Sequence, residues 1–293
     1  MSADRLFDNE RVLVVAMRGW SDAGDSASDA VSELRKALEL DRVVTTIDDE
    51  RYYDFAATRP RLRLSGTQRI VEWPHTAVYG PQPANDYGIY VMLGDEPALN
   101  WRSFVERVLT VCEAEEISAL VFVGSLLADA PHTREIQISS TSDDELLRSK
   151  YDFDTSKYEG PIGIMTAIGD AAAHDGARSV SLWASVPHYA QAPDMPAAKA
   201  TLALTEELAD LLLFDFDRQP LREAAEAWEN RVTQAVKQDD ELGQYVHFLE
   251  QTRDMVDSEA ASGDAIAAEF EAFLSTDADD RNDDGVDAPE ERD

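Results

Sequence analysis

Four short segments of this 293-residue chain carry side chains able to do chemistry, each marked by glycine or proline. The first, residues 18–25, offers Gly19 and Gly24 for tight backbone geometry, with Trp20, Ser21, Asp22 and Asp25 around them. Ser21 or Asp22 can cap a following helix, and backbone amides at such a terminus can hold an anion. Asp22 and Asp25 would repel a phosphate, and the glycine spacing is neither a P-loop nor a dinucleotide fingerprint. The second, residues 124–134, sets His132, Thr133 and Arg134 behind Pro131. An imidazole, a hydroxyl and a guanidinium so close together suit the gripping of a carboxylate or phosphate; they equally suit the bracing of neighbouring loops. The third, residues 159–163, places Pro161 at a helix start between Gly160 and Gly163, where backbone can approach a ligand closely. The fourth, residues 185–189, repeats the Pro-His pair at Pro187-His188. Parallel strands can bring two such pairs together, which by itself defines no reaction.

Several other patterns carry less. Gly124-Ser125 lacks the second glycine of a nucleophile elbow. Cys112, the one cysteine, lies on the apolar face of its helix and allows no internal disulfide. Asp170 and His174 share a helix face without a third ligand in reach, so no metal site is expected. Residues 280–291 match a calcium-loop spacing, but Asp287 and Pro289 break the pattern and no exiting helix follows. One segment is locally basic: Arg51, Arg59, Arg61, Arg63 and Arg69 surround Tyr52, Tyr53 and Phe55, opposed only by Asp54. Arginine and tyrosine favour buried contacts. Arg51, Tyr53, Arg59, Arg61 and Arg63 are therefore expected to meet an acidic surface of a neighbouring subunit, a pocket for an anionic ligand being the alternative.

The elements that must position these segments read as an α/β protein. Short apolar, β-branched runs at 11–17, 43–47, 89–93, 119–123 and 180–186 predict strands. Helical spacing predicts helices at 22–40, from Trp101 to Cys112, at 161–173 and at 197–214. Strand and helix alternate, so a mostly parallel sheet covered by helices on both faces is expected. In such a sheet ligands bind beyond the carboxyl ends of the strands, where all four segments fall.

Hydrophobic residues make up 44% of the chain, enough for a full core. The net charge of −33 repels phosphate backbones and anionic lipids, which argues against nucleic-acid and membrane partners. No apolar run is long enough to span a bilayer, and the N-terminus lacks a secretory layout, so a cytoplasmic location is expected. Residues 221–293 hold 22 acids and 6 basic residues. That shift, with Pro220 as a helix breaker, puts a boundary at Gln219-Pro220. An α/β body at 1–219, an acidic helical extension at 220–274 and a disordered acidic tail at 275–293 are expected. The extension carries three amphipathic stripes, led by Leu221, Leu242 and Ile266.

The order of GWSDAGDSAS (19–28), Tyr53-Asp54-Phe55, Arg59-Pro60-Arg61-Leu62, Gly94-Asp95-Glu96-Pro97, PHTR (131–134) and EGPIG (159–163) resembles the proteasome assembly chaperone family in its actinobacterial and archaeal form. The resemblance covers about residues 8–215 and implies a nucleoside-phosphorylase-like fold and a homo-oligomer, a trimer being favoured. A protein client is the candidate partner besides a second copy, and no cofactor is expected. Some archaeal relatives dock onto proteasomes by a hydrophobic-Tyr-X C-terminus; this sequence ends Glu291-Arg292-Asp293.

Two functions are thus set against each other. One is a non-enzymatic, oligomeric chaperone or scaffold whose body self-assembles and whose acidic helices contact a partner. The other is a small-molecule hydrolase or phosphorylase, with His132 as acid/base and Arg134 as anion clamp. A ligand-binding regulator would use the same crevice without turnover.

Overall fold

Alternation of buried residues on both sides of the central strands dictates the architecture. The computed structural model describes residues 6–7, 10–83, 88–192 and 195–258. Strand β1 (Arg11–Arg18) leads through a 3-10 turn (Ala23–Asp25) into helix α1 (Ser26–Ala37). Strand β2 (Arg42–Ile47) precedes a hairpin of β3 (Arg61–Ser65) and β4 (Gln68–Glu72). Then come β5 (Thr76–Gly80), β6 (Ile89–Asp95), α2 (Trp101–Ala114) and β7 (Ile117–Ala128). After these follow β8 (Ile138–Thr141), α3 (Glu145–Tyr151), α4 (Ile164–His174) and β9 (Arg178–Pro187). Helices α5 (Ala198–Leu212) and α6 (Arg218–Val236) close the series.

Seven strands form one sheet in the order β2-β5-β6-β1-β7-β9-β8. Its centre, β6-β1-β7-β9, is parallel, while β5 and β8 run against their neighbours. β2 is antiparallel to β5, so five of the seven strands share one direction. Strand β1 shows why both faces are covered. Val12, Val14 and Ala16 enter one core with Val31 and Leu34 of α1 and Leu204 and Leu208 of α5. Leu13, Val15 and Met17 enter a second with Phe104 and Val108 of α2 and Ile164 and Ile168 of α4. Side chains alternate along a strand, so a continuous apolar run supplies two cores at once.

Some expectations shift. Helix α1 begins at 26 rather than 22, because Gly24 and Asp25 take left-handed backbone angles of φ 61° and 56°. Strands β3, β4, β5 and β8 and helix α3 were not foreseen from the sequence. Pro220 does not mark a boundary: it sits in the first turn of α6, where no intrahelical N–H is needed, behind the Asp217 cap. Trp228 and Val232 of α6 belong to the α1/α5 core, so the first compact unit runs Met1–Gln238 and the second Asp239–Asp293.

In the second unit residues 240–258 are helical, with the Asp239 carboxylate accepting from the Glu241 and Leu242 amides. The third amphipathic stripe and the tail at 275–293, with its calcium-like spacing, lie outside the described residues. No described helix is long and apolar enough to cross a membrane.

Candidate functional site

Beyond the carboxyl ends of β1, β6 and β7, the first segment meets the third at Gly163 and the start of the second at Ser125. Gly163 lies against the first segment and against Glu96: a Cβ there would stand 3.0 Å from the Ser21 hydroxyl and 3.1 Å from Glu96 Oε1. Glu96 Oε1 accepts from the Ile164 amide at 2.8 Å, at the N-terminus of α4. Asp22 does the same for α1, its Oδ1 accepting from the Ala27 and Ser28 amides at 2.9 and 3.1 Å. In an α/β crevice such amides are the natural anion site, because they are unpaired in the helix and sit at its positive pole. Here both termini are filled by the chain's own carboxylates.

The first segment is also pinned from behind. Ser21 O accepts from the Ser125 amide at 2.9 Å, and the Ser125 and Ser26 hydroxyls both donate to Ala23 O. Gly24 O accepts from the Ala197 amide at 2.8 Å. Asp22 is buried, its Oδ2 has no partner, and burial pushes its carboxyl up to about 6, with the neighbouring Asp25 charge adding to the rise. Trp20 stays 64% exposed on the rim and Gly19 lies beside Glu96. Asp25 is exposed and makes no side-chain cap.

His132 lies elsewhere. It is fully buried, and its backbone amide donates to the Tyr189 hydroxyl at 2.8 Å. Its Nδ1 lies 3.0 Å from the same hydroxyl, and its Nε2 lies 3.0 Å from Thr233 Oγ1 on α6. Both ring nitrogens are thereby engaged with hydroxyl partners. Lys199 ties the loop further, donating to His132 O at 2.8 Å and pairing with Glu229 at 2.6 Å. The two Pro-His pairs do come together, since His132 and His188 both pack edge-on against Tyr189. They meet around a phenol ring rather than an opening. His188 faces Asp129 at 3.2 Å, and Arg134 donates to the Thr133 hydroxyl at 3.2 Å.

As a catalytic trio, then, His132, Thr133 and Arg134 are not gathered with Asp22 and Gly163; His132 is a brace between the 3-10 turn after β9 (His188–Ala190) and α6. Gly160 also falls outside, in an exposed turn where Tyr158 donates to Pro161 O. The sequence reading missed two residues: Glu96, which appeared only within the family resemblance, and Arg18, which pairs with Asp95 through Nε and an Nη at 3.0 and 3.1 Å. A polar pair at matched strand ends, Arg18 beside Asp95 in the β1–β6 register, was the available signal. Among the described residues no cluster of histidine, cysteine and carboxylate side chains could hold a metal. His174 instead has Nδ1 2.7 Å from Asp170 O.

The basic segment divides. Tyr53 is buried, not at a surface: its hydroxyl donates to Ile47 O at 3.0 Å and meets Thr76 Oγ1 at 3.1 Å, and burial pushes it up to about 12. Arg51 pairs with Asp49 and Arg63 with Glu72. Arg59, Arg61 and Arg69 are exposed on or beside the hairpin. Between the hairpin and β2 lies a groove of about 540 Å³, lined by Thr46, Asp48, Arg63, Ile70, Glu72 and His75.

The fold is thus a doubly covered α/β body in which the α1 and α4 N-terminal amides are met by the chain's own Asp22 and Glu96. The chain matches the PAC2 family over residues 16–236, and it belongs to that family. It is 35% identical to a Mycobacterium tuberculosis proteasome-assembly chaperone homologue, over 80% of this chain and 99% of that one, with a TM-score of 0.70. A PAC2 family protein from Streptomyces avermitilis is 38% identical over the same shares, also with a TM-score of 0.70. An archaeal proteasome activator from Pyrococcus furiosus shares the fold at 13% identity, covering 80% and 96%, with a TM-score of 0.62. No curated protein matches the chain.

Proposed function

We propose that this chain is a non-enzymatic, oligomeric, chaperone-like scaffold of the cytoplasm whose clients are proteasome components. The observation that carries the reading is the filling of the α1 and α4 N-termini, which face each other at the centre of the crevice, by Asp22 and Glu96. A hydrolase or phosphorylase needs those amides, or an equivalent cationic clamp, free for the developing negative charge. His132, the only acid/base the rival reading had, is spent on Tyr189 and Thr233. The relatives supply the client class: the mycobacterial one is a proteasome-assembly chaperone homologue and the Pyrococcus one a proteasome activator. The acidic helix at 240–258, with Phe248, Met255 and Val256 exposed, is the surface proposed to meet the client.

Co-expression with the proteasome α and β subunits of the same organism, followed by native mass spectrometry, tests this. A complex of this chain with α subunits or with a partly built ring is the expected result. Turnover of an ester or nucleoside panel that vanishes in Arg134→Ala, with no proteasome complex, would overturn it.

A further inference from the structure

The β3–β4 hairpin is the least accounted-for element of the first unit. Its register pairs Leu62 with Val71 and Leu64 with Arg69, so these four residues share one face. Leu62, Leu64 and Val71 are 59%, 75% and 50% exposed. The opposite face carries Arg61, Arg63, Ile70 and Glu72; the groove toward β2 is lined by Arg63, Ile70 and Glu72 and reaches the edge of the apolar face at Leu64 and Val71. The hairpin forms its own two-stranded sheet, joined to none of the seven strands. Two strands alone are marginal in water, and an apolar face so exposed marks a contact surface.

Charge says what covers it. Residues 59–72 hold four arginines and one glutamate, a net of +3 in a chain of net −33. Another copy of the same hairpin would bring Arg69 of the apolar face against its own equivalent and set two net-positive hairpins together, and like charges across an interface oppose contact. The rest of the chain, by contrast, has 58 acids against 22 basic residues, a net of −36. We infer that the apolar face of the β3–β4 hairpin docks onto an acidic surface of a second copy of this chain, head to tail rather than hairpin to hairpin. A head-to-tail contact repeats and, where its rotation closes, forms a ring of three or more copies, whereas a hairpin-to-hairpin contact stops at two. The inference rests on the oligomer proposed above and names its interface.

Native mass spectrometry and light scattering on the full chain test it, with three variants. The wild type should be a ring of three or more subunits. Leu62→Ser/Leu64→Ser and, separately, Arg61→Glu/Arg69→Glu should each raise the subunit dissociation constant at least about tenfold, while circular dichroism and the melting profile show a folded chain. Raising salt should weaken the wild-type ring and spare its fold, because exposed charge pairs are screened. Leu64→Cys, oxidised, should give no covalent dimer. A monomeric wild type would overturn the oligomer itself. A wild-type ring whose mass survives in both double variants would overturn only the hairpin interface. A disulfide-linked dimer of the Leu64→Cys variant would overturn the head-to-tail geometry.

Discussion

His132 is buried in a loop tied to Tyr189, Thr233 and Lys199, whereas Leu64 is 75% exposed on a hairpin joined to no other strand. Both regions drew attention for their residue types, the first for imidazole and guanidinium, the second for arginine and tyrosine. In the loops those types are consumed internally, their donors and acceptors answered by the chain. On the hairpin the leucines are exposed and Arg63 pairs diagonally across the strands with Glu72. A polar side chain at a strand end is thus a poor guide to chemistry until its partners are known. An apolar side chain left exposed on a strand is the stronger sign of recognition.

The contrast breaks most sharply at His132. His132→Ala would leave the Tyr189 and Thr233 hydroxyls without their buried partner and open a void, costing about 3 kcal/mol in urea unfolding. A catalytic rather than structural histidine would leave that transition in place. Gly24→Ala comes next. Gly24 has φ 61°, and a Cβ would lie 2.7 Å from that of Ala197, so about 2 kcal/mol of destabilisation is expected from strain and crowding together. Both substitutions lie in the locked region and should act on folding alone.

The central strands were legible because apolar β-branched runs buried on both faces leave an unbroken pattern, as 11–17 and 119–123 do. Helices α1, α2, α4 and α5 were legible by spacing for the same reason. The hairpin was not, although Arg-Leu-Arg-Leu alternates with the right period. Its leucines face no core within the chain, so the alternation lacked a partner stripe and read only as a basic patch. Pro220 misled because a proline in the first helical turn and a proline after a helix look alike in sequence. The role of His132 was illegible because its partners Tyr189 and Thr233 are 57 and 101 residues away. The sequence offered Ser21 or Asp22 as a helix cap, and Asp22 is the one that accepts from the α1 amides; the lack of a partner for its second oxygen depends on packing that no local pattern records.

That orphan oxygen gives the locked region a pH signature. The folded-state value of Asp22, about 6, lies above the model-peptide value of 3.8, so the folded chain binds this proton more tightly than the unfolded one. Its contribution to stability is complete below the unfolded value and is lost as pH rises through about 6. Asp22→Asn keeps an oxygen for the Ala27 and Ser28 amides and removes the titration. Relative to that variant, the wild type should gain about 2 kcal/mol of stability between about pH 7.5 and about pH 4.5. Parallel unfolding curves across that range would mean that the carboxylate has a partner after all.

The hairpin should answer with almost nothing. Leu64→Ala removes a side chain that touches water over most of its surface, so unfolding of the diluted, dissociated chain should move by less than about 0.5 kcal/mol. Dilution matters here, because any oligomer contact would add its own linkage to the apparent stability. A loss of about 2 kcal/mol in the diluted chain, the size of a buried leucine truncation, would place Leu64 in an intramolecular contact and erase the difference between the two regions. A loss that appears only at high concentration would sharpen it, since the same leucine would then be silent in folding and active in association.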